Sequence, residues 1–102
     1  MYYNNREHFE WSEEKRQANI AKHGIDFAMA IKIFEGPVLT NRDKRKEYGE
    51  DRYINIGLVE ETTIIVVVHT NRKKNKRIIS ARPASRKERQ IYHDKIQKTV
   101  NH

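Results

Sequence analysis

The strongest structural signal in the chain is the segment Thr62–Thr70, which reads TTIIVVVHT and is almost entirely β-branched. Such side chains favour extended backbone, and a run without polar alternation is typical of a central strand buried on both faces. Its apolar centre, Ile64–Val68, is far shorter than the ~20 residues that span a bilayer. The segment therefore predicts a domain built around a sheet, with no membrane-spanning helix.

Three other segments have the features of strands: Val38–Asn41, Arg52–Val59 and Lys76–Arg82. The connections are a charged loop and two short turns: Arg42–Asp51, Glu60-Glu61 and Asn71–Asn75. Alternation in the second segment places Ile54, Ile56 and Leu58 on one face and Tyr53, Asn55 and Gly57 on the other. In the last it places Ile78, Ser80 and Arg82 opposite Arg77, Ile79 and Ala81. The short links predict an antiparallel meander.

Two helices are expected before the first of these strands. Ser12 is a suitable N-cap, and the helix that follows should end at Lys22–His23, with Gly24 in the left-handed position. Asp26 can cap a second helix, Phe27–Phe34, with apolar residues at i, i+3, i+4 and i+7.

A third helix, Arg86–Val100, should follow Pro83, because Ser85 and Glu88 match the S-x-x-E capping box. The order of elements predicts one α+β domain over residues 1–102: two N-terminal helices, a mainly antiparallel sheet of three to four strands, and a C-terminal helix. With all the helices on one sheet face, the domain would have two layers.

Composition limits the chemistry that is available. The 102 residues include no cysteine, which excludes disulfides, thiolate metal sites and a cysteine nucleophile. The five histidines lack the close spacing of zinc ligands, and there is no glycine-rich phosphate loop. We expect no metal and no cofactor. The polar N-terminus lacks the apolar core of a signal peptide, which favours a cytoplasmic protein.

Positive charge is concentrated at the C-terminal end. Residues 1–68 hold 10 Lys and Arg against 12 Asp and Glu, whereas residues 69–102 hold 11 against 2. Such a local excess attracts polyanions, of which nucleic acid is the commonest. A solvated basic surface without a partner is the alternative.

Three stretches, in this order, resemble the BrnT family. The first is the opening segment, which runs from Phe9–Ser12 to Phe27, and the second is Tyr48–Tyr53 followed by Ile56-Gly57. The third includes Val67–Thr70, Arg77–Arg82 and Glu88-Arg89. Pro83 departs from the pattern, since a basic residue is expected there. The resemblance implies a RelE-like fold and a ribonuclease toxin of a type II toxin-antitoxin pair. It also implies a BrnA-type ribbon-helix-helix antitoxin, with operator DNA bound only through the complex.

Metal-free RNA cleavage needs a base for the ribose 2′-OH, cationic stabilisation of the phosphate and an acid for the leaving oxygen. Arg72 and Arg82 are the candidates for phosphate stabilisation, because a guanidinium matches phosphate geometry. The predicted hairpin places them at opposite ends, and the alternative for each is a surface or ion-pair residue. His69 is the candidate acid or base, since an imidazole titrates near neutrality. Its strand face also suits a structural histidine. Glu88 can be a base or only a cap.

The remaining basic residues of this region form the predicted RNA-backbone surface: Lys73, Lys74, Lys76, Arg77, Arg86 and Lys87. Tyr53 can stack a base or pack under a helix. Three functional hypotheses remain open at this point. They are a metal-independent endoribonuclease, a non-catalytic nucleic-acid-binding module, and a regulatory partner whose basic face docks an acidic antitoxin segment.

Overall fold

The computed structural model describes residues 8–45 and 47–100, with side chains described as far as Ile96. Its elements are β1 (His8–Glu10), α1 (Glu13–His23), α2 (Phe27–Ala30), a 3₁₀ helix (Ile31–Glu35), β2 (Val38–Arg42), β3 (Arg52–Val59), β4 (Thr63–Arg72), β5 (Asn75–Pro83) and α3 (Arg86–Val100). Within that part of the chain, no helix is long and apolar enough to cross a membrane.

The five strands form one sheet in the order β1-β5-β4-β3-β2. Strands β2 to β5 are antiparallel neighbours, as the short links predict, whereas β1 pairs parallel with β5. The sheet is therefore mixed and has five strands, so the prediction of three to four was too low. The three-residue β1 has no hydrophobic alternation long enough to be recognised in the sequence.

The caps form as the sequence predicts. The Ser12 hydroxyl accepts a hydrogen bond from the Lys15 amide, Gly24 has a φ of 72°, and Asp26 accepts from the Ala28 amide. The expected second helix, however, is α2 for only four residues and then tightens into the 3₁₀ helix.

Strand β4 is buried on both faces, and each face has its own core. Ile65 and Val67 lie in one cluster, with Phe27 of α2 among the residues packed there. Ile64 and Val66 lie in the other, with Tyr92 of α3. Alternation along a strand sends neighbouring side chains to opposite faces. The N-terminal helices and α3 thus cover opposite faces, and the predicted two-layer arrangement is wrong.

The register of β5 also differs from simple alternation. His69 pairs with Ile78 and Val68 pairs with Ser80, so Ile79 is an extra residue that forms a bulge. Ile78 and Ala81 consequently join the same core cluster, although the sequence pattern placed them on opposite faces. Because of the bulge, the side chains of Ile78 and Ser80 lie on opposite faces of the sheet, although they are two residues apart.

Long-range polar contacts fasten the helices to the sheet. The amide of Asn19, on α1, donates to the carbonyl of Ala81 at 2.8 Å and accepts from its amide at 3.0 Å. It therefore pairs with the β5 backbone beyond the end of β1. On the other face, the hydroxyl of Tyr92 donates to the Pro37 carbonyl at 2.9 Å, which joins α3 to the start of β2.

Candidate functional site

The residues expected to carry the chemistry lie on two different faces of the sheet. His69 lies on the same face as Val67, under the N-terminal helices. Arg82 pairs with Val66, whose face is covered by α3. Arg72 follows Val66 by six positions in β4 and shares its face by alternation. The structure does not bring the three predicted catalytic residues into one site.

Arg72 and Arg82 share a face but not a position. The register places Arg72 six residues beyond the partner of Arg82 along β4, or about 20 Å at the rise of a strand. Arg72 lies near Glu10, with 3.7 Å between Nη1 and Oε2. One phosphate cannot contact both arginines at once.

Glu88 holds Arg82 in a bidentate ion pair. Nη1 and Nη2 of Arg82 donate to the two carboxylate oxygens of Glu88, each at 2.8 Å. Glu88 also accepts from the Ser85 amide at 2.8 Å, while its own amide donates to the Ser85 hydroxyl at 3.1 Å. The predicted capping box is therefore present, and it positions a guanidinium at the start of α3.

These contacts decide the protonation of both groups. The Arg82 guanidinium, followed by the Ser85 amide, lowers the pKa of Glu88 from 4.5 to about 2, although burial opposes the shift. The Glu88 carboxylate in turn raises the pKa of Arg82. A carboxylate so acidic is a weak base near neutral pH. Of the two roles left open for Glu88, this geometry favours the cap.

A second arginine is positioned by the loop between β2 and β3. The buried carboxylate of Asp43 accepts from the Arg45 amide, Nε and Nη2 at 3.1, 2.9 and 2.8 Å. The Tyr48 hydroxyl donates to the same carboxylate, and Arg52 lies 4.1 Å from the centre of the Tyr48 ring. The Arg45 contacts lower the pKa of Asp43 well below its usual range.

Arg45 is close enough to Arg82 for its charge to oppose the rise in the pKa of Arg82. We call Arg45, Arg52 and Arg82 the arginine cluster. Arg45 was not singled out from the sequence, although the Asp43-x-Arg45 spacing within a charged loop was the available signal. The cluster joins two segments that are far apart in the chain.

A further polar cluster fastens the two parallel strands together. The carboxylate of Glu10 accepts from Asn75 at 2.8 Å and from Arg77 at 2.9 Å. The hydrogen bonds from Asn75 and then Arg77 lower the pKa of Glu10. Arg77, which was expected to contact RNA, is thus already paired within the protein.

The face under the N-terminal helices contains a pocket of about 360 Å³. It brings together three of the predicted residues, Tyr53, His69 and Lys76. The other lining residues are Phe34, Val38, Thr40, Asn55 and Asn71. The ring centroid of His69 lies 5.3 Å from that of Tyr53 in a stacked arrangement and 6.0 Å from that of Phe34 in an edge contact.

Asn55 sets the orientation of His69. Asn55 is fully buried, and its Nδ2 donates to the Val67 carbonyl at 2.9 Å, which identifies that atom as nitrogen. The same Nδ2 lies 2.8 Å from Nδ1 of His69. Because the amide nitrogen is a donor, Nδ1 must accept, and the proton of the neutral ring is on Nε2. The sequence did not suggest this role for Asn55.

Comparison with known proteins identifies the family. Residues 11–88 match the family profile described as the ribonuclease toxin BrnT of type II toxin-antitoxin systems. The chain belongs to the BrnT family. It is also similar to the Brucella abortus ribonuclease toxin BrnT, known from a crystal structure at 1.1 Å resolution. The two are 32% identical with a TM-score of 0.60, over 79% of this chain and 100% of the other. Curated protein sequences give no match.

The match to the BrnT family covers both candidate regions. It contains the arginine cluster, the whole pocket and the capping box, and it ends at Glu88, within the first turn of α3. The type II assignment gives the chain an antitoxin partner and makes it a ribonuclease toxin.

Four other predicted RNA contacts are exposed: Lys73, Lys74, Arg86 and Lys87. Within residues 8–45 and 47–100, His, Asp and Glu form no group of three that could hold a metal ion.

Proposed function

We propose that this BrnT toxin cleaves RNA without a metal ion, and that the arginine cluster binds the scissile phosphate. In this reaction the ribose 2′-oxygen bonds to phosphorus and the bond from phosphorus to the 5′-oxygen breaks. A base takes the 2′-OH proton, and the leaving oxygen gains a proton. The products are a 2′,3′-cyclic phosphate and a 5′-hydroxyl.

The observation that carries this proposal is that two guanidinium groups, each oriented by its own carboxylate, are close enough for the charge of Arg45 to act on Arg82. A guanidinium presents a planar fork of donors that matches the geometry of a phosphate, and it stays charged beside a carboxylate. Asp43 and Glu88 anchor one cation each, so the two guanidinium groups are fixed in place before substrate binds. Fixed donors stabilise the charge that develops on the phosphate without reorganising, and such stabilisation often contributes more to catalysis than any other single effect.

Exposed cations at the end of the β4–β5 hairpin extend the positive surface. Lys73 and Lys74 form its tip, and Arg72, which is 60% exposed at its side chain, precedes them. We assign these residues to the RNA backbone, together with Arg86 and Lys87. Such contacts fix the register of the RNA but do not read its sequence. Arg72 therefore moves from the catalytic group to the binding group.

The test is cleavage of single-stranded RNA in excess EDTA, with analysis of the product ends. We expect cyclic-phosphate ends, and no cleavage where a single 2′-deoxynucleotide replaces the nucleotide 5′ of the scissile bond. Arg82→Ala should lower kcat by about 10²–10³, the usual effect of removing one preorganised donor. Lys22→Ala, at an exposed cation on α1, is the matched control and should leave kcat unchanged.

Several results would contradict the proposal. If EDTA abolished cleavage and Mg²⁺ restored it, the reaction would depend on a metal ion. Cleavage at the deoxy position would contradict attack by the 2′-OH. RNA that is bound but recovered intact would favour the non-catalytic binding module. Because Arg82→Ala also leaves Glu88 unpaired, Arg45→Ala is the second variant. Wild-type kcat in both folded variants would exclude the arginine cluster from catalysis.

We further propose that the antitoxin is of the BrnA type, with a ribbon-helix-helix DNA-binding part, and that the fold belongs to the wider RelE-like group. The family assignment supports an antitoxin but not its class. The toxin and the product of an adjacent reading frame should co-purify, and only the complex should retard operator DNA. Retardation by the toxin alone would contradict this arrangement. The same pairing fits the expected cytoplasmic location.

A further inference from the structure

The pocket lies beside the 3₁₀ helix, apart from the arginine cluster. Lys76 pairs with Asn71, five residues along β4 from the partner of Arg82. That separation is about 17 Å at the rise of a strand, and the two sites are on opposite faces of the sheet. A group bound in the pocket cannot contact the phosphate that Arg82 binds.

We propose that this pocket binds a nucleobase from a single-stranded part of the RNA, several nucleotides from the scissile bond. The identity of the ligand as RNA rests on the proposed function, but the site itself does not. The 360 Å³ volume falls within the range of small-molecule sites, and the lining combines three apolar or aromatic residues with five polar ones.

The walls of the pocket suit a planar aromatic ligand. Tyr53 and Phe34 line it together with Val38, and Tyr53 is about parallel to the His69 ring, at an interplanar angle of 23°. An aromatic platform of this kind stacks any base, at about 1–3 kcal/mol per base. Nζ of Lys76 lies 5.5 Å from the centre of the Phe34 ring, which adds a cation at the edge of the pocket.

The polar groups of the pocket have defined hydrogen-bonding roles. The Thr40 hydroxyl donates to Oδ1 of Asn55 at 2.8 Å, so its remaining lone pairs can only accept. Asn71 is exposed and lines the pocket, where its amide offers both a donor and an acceptor. Base edges carry donors and acceptors in patterns that such groups can distinguish.

His69 has a different role in this site from the one expected from the sequence. A general base must accept a proton on an accessible nitrogen. Nδ1 is already bonded to Asn55, and Nε2 carries the proton in the neutral ring. With a proton on Nδ1, the N–H groups of His69 and Asn55 would face each other with no acceptor between them. The pair with Asn55 therefore makes His69 a fixed wall of the pocket, and not a proton-transfer group.

Binding to two uncleavable strands of equal charge tests the proposal. One is a single-stranded 2′-O-methyl RNA of about eight nucleotides, within the usual range for such sites, and the other is an abasic strand of the same length. In NMR titrations, the base-containing strand should shift the signals of Tyr53, Asn71 and Thr40. The abasic strand should shift only residues of the arginine cluster and the hairpin tip.

The variants separate this site from the cleavage site. Tyr53→Leu should weaken binding of the base-containing strand about ten-fold or more, whereas Tyr53→Phe, which keeps the ring, should bind as wild type does. On a long RNA, Tyr53→Leu should raise KM with kcat unchanged. Arg82→Ala should still show the pocket shifts. Nitrogen chemical shifts of the His69 ring should show the proton on Nε2.

Equal binding of the two strands, or shifts restricted to the arginine cluster, would overturn the base-binding site. A proton on Nδ1 of neutral His69, or a lowered kcat in folded His69→Phe, would overturn the role given to that histidine. Failure of the proposed function would give a different result. The base-containing strand would still shift the signals of the pocket residues, but the protein would not cleave RNA.

Discussion

At the scale of single residues, Glu88 performs two tasks with one carboxylate. It closes the capping box at the start of α3, and it pairs in bidentate fashion with Arg82. Both contacts require the ionised form, which is why the pKa of Glu88 falls to about 2. The folded state therefore binds the proton of Glu88 less well than the unfolded chain does, and stability depends on pH through this group.

The sign of that dependence gives a prediction. A lowered pKa contributes stability that is present above the unfolded value of about 4.5 and lost as pH falls toward about 2. Replacing Glu88 with Gln should therefore destabilise the protein at about pH 6 and flatten the loss of stability between about pH 5 and pH 3. Urea midpoints at each pH measure this. The exposed Glu35→Gln is the control, and it should retain the steep acid limb of wild type.

The sequence anticipated several residue-scale features because they depend on neighbours in the chain. The Ser85–Glu88 cap and the burial of His69 beside Val67 are of this kind. The Asn55–His69 contact was not anticipated, since it joins two strands through a register that no local pattern specifies. The same limit applies to the electrostatic interaction of Arg45 with Arg82, because the two residues belong to segments far apart in the chain.

At the scale of elements, the sheet shows where local patterns stop being sufficient. Alternation assigned the faces of β3 correctly, with Ile54 and Ile56 toward α3. It failed in β5 because one extra residue, Ile79, shifts the phase midway along the strand. It missed β1, whose three residues are held to β5 through side-chain bonds from Asn75 and Arg77 to Glu10.

The packing of the 3₁₀ helix on β3 gives a second prediction. A Cβ added at Gly57 would lie 2.6 Å from Cβ of Ile33, which is fully buried, so either the helix or the strand would have to move. Gly57→Ala should lower the free energy of unfolding by about 1–3 kcal/mol, the usual cost of overpacking a core. Urea denaturation measures it.

Gly36→Ala is the matched control, since a Cβ there meets nothing within 4 Å and the backbone φ of −132° suits any residue. Equal stability of the two alanine variants would show that Ile33 can shift without cost.

At the scale of the whole molecule, the sheet divides the protein into two working surfaces. Strands β2 to β5 and Phe34 of the 3₁₀ helix line the pocket on one face. On the other face, β5 carries Arg82, which pairs with Glu88 of α3. The sequence predicted the helices but not the faces that they cover, because the choice depends on contacts between distant segments. The excess of positive charge after residue 68 was evident from composition alone, and it concentrates on the hairpin and the start of α3.

This arrangement predicts how RNA affinity responds to salt. Each phosphate contact with a single strand releases counterions and adds about −0.7 to the slope of log K against log salt concentration. Removing the two tip charges with Lys73→Asn and Lys74→Gln should therefore make the slope shallower by up to about 1.4. Asparagine is chosen because Lys73 has a φ of 58°, which Asn tolerates better than most residues do.

The measurement uses an uncleavable 2′-O-methyl RNA over about 50 to 200 mM salt, so that binding is separated from turnover. The control removes two cations from α1, on the face away from Arg82, with Lys15→Gln and Lys22→Gln. If both double variants change the slope equally, the protein attracts RNA through its net charge and not through the hairpin. If only the tip variant changes it, the RNA backbone crosses the β4–β5 turn, which is next to the pocket residues Asn71 and Lys76.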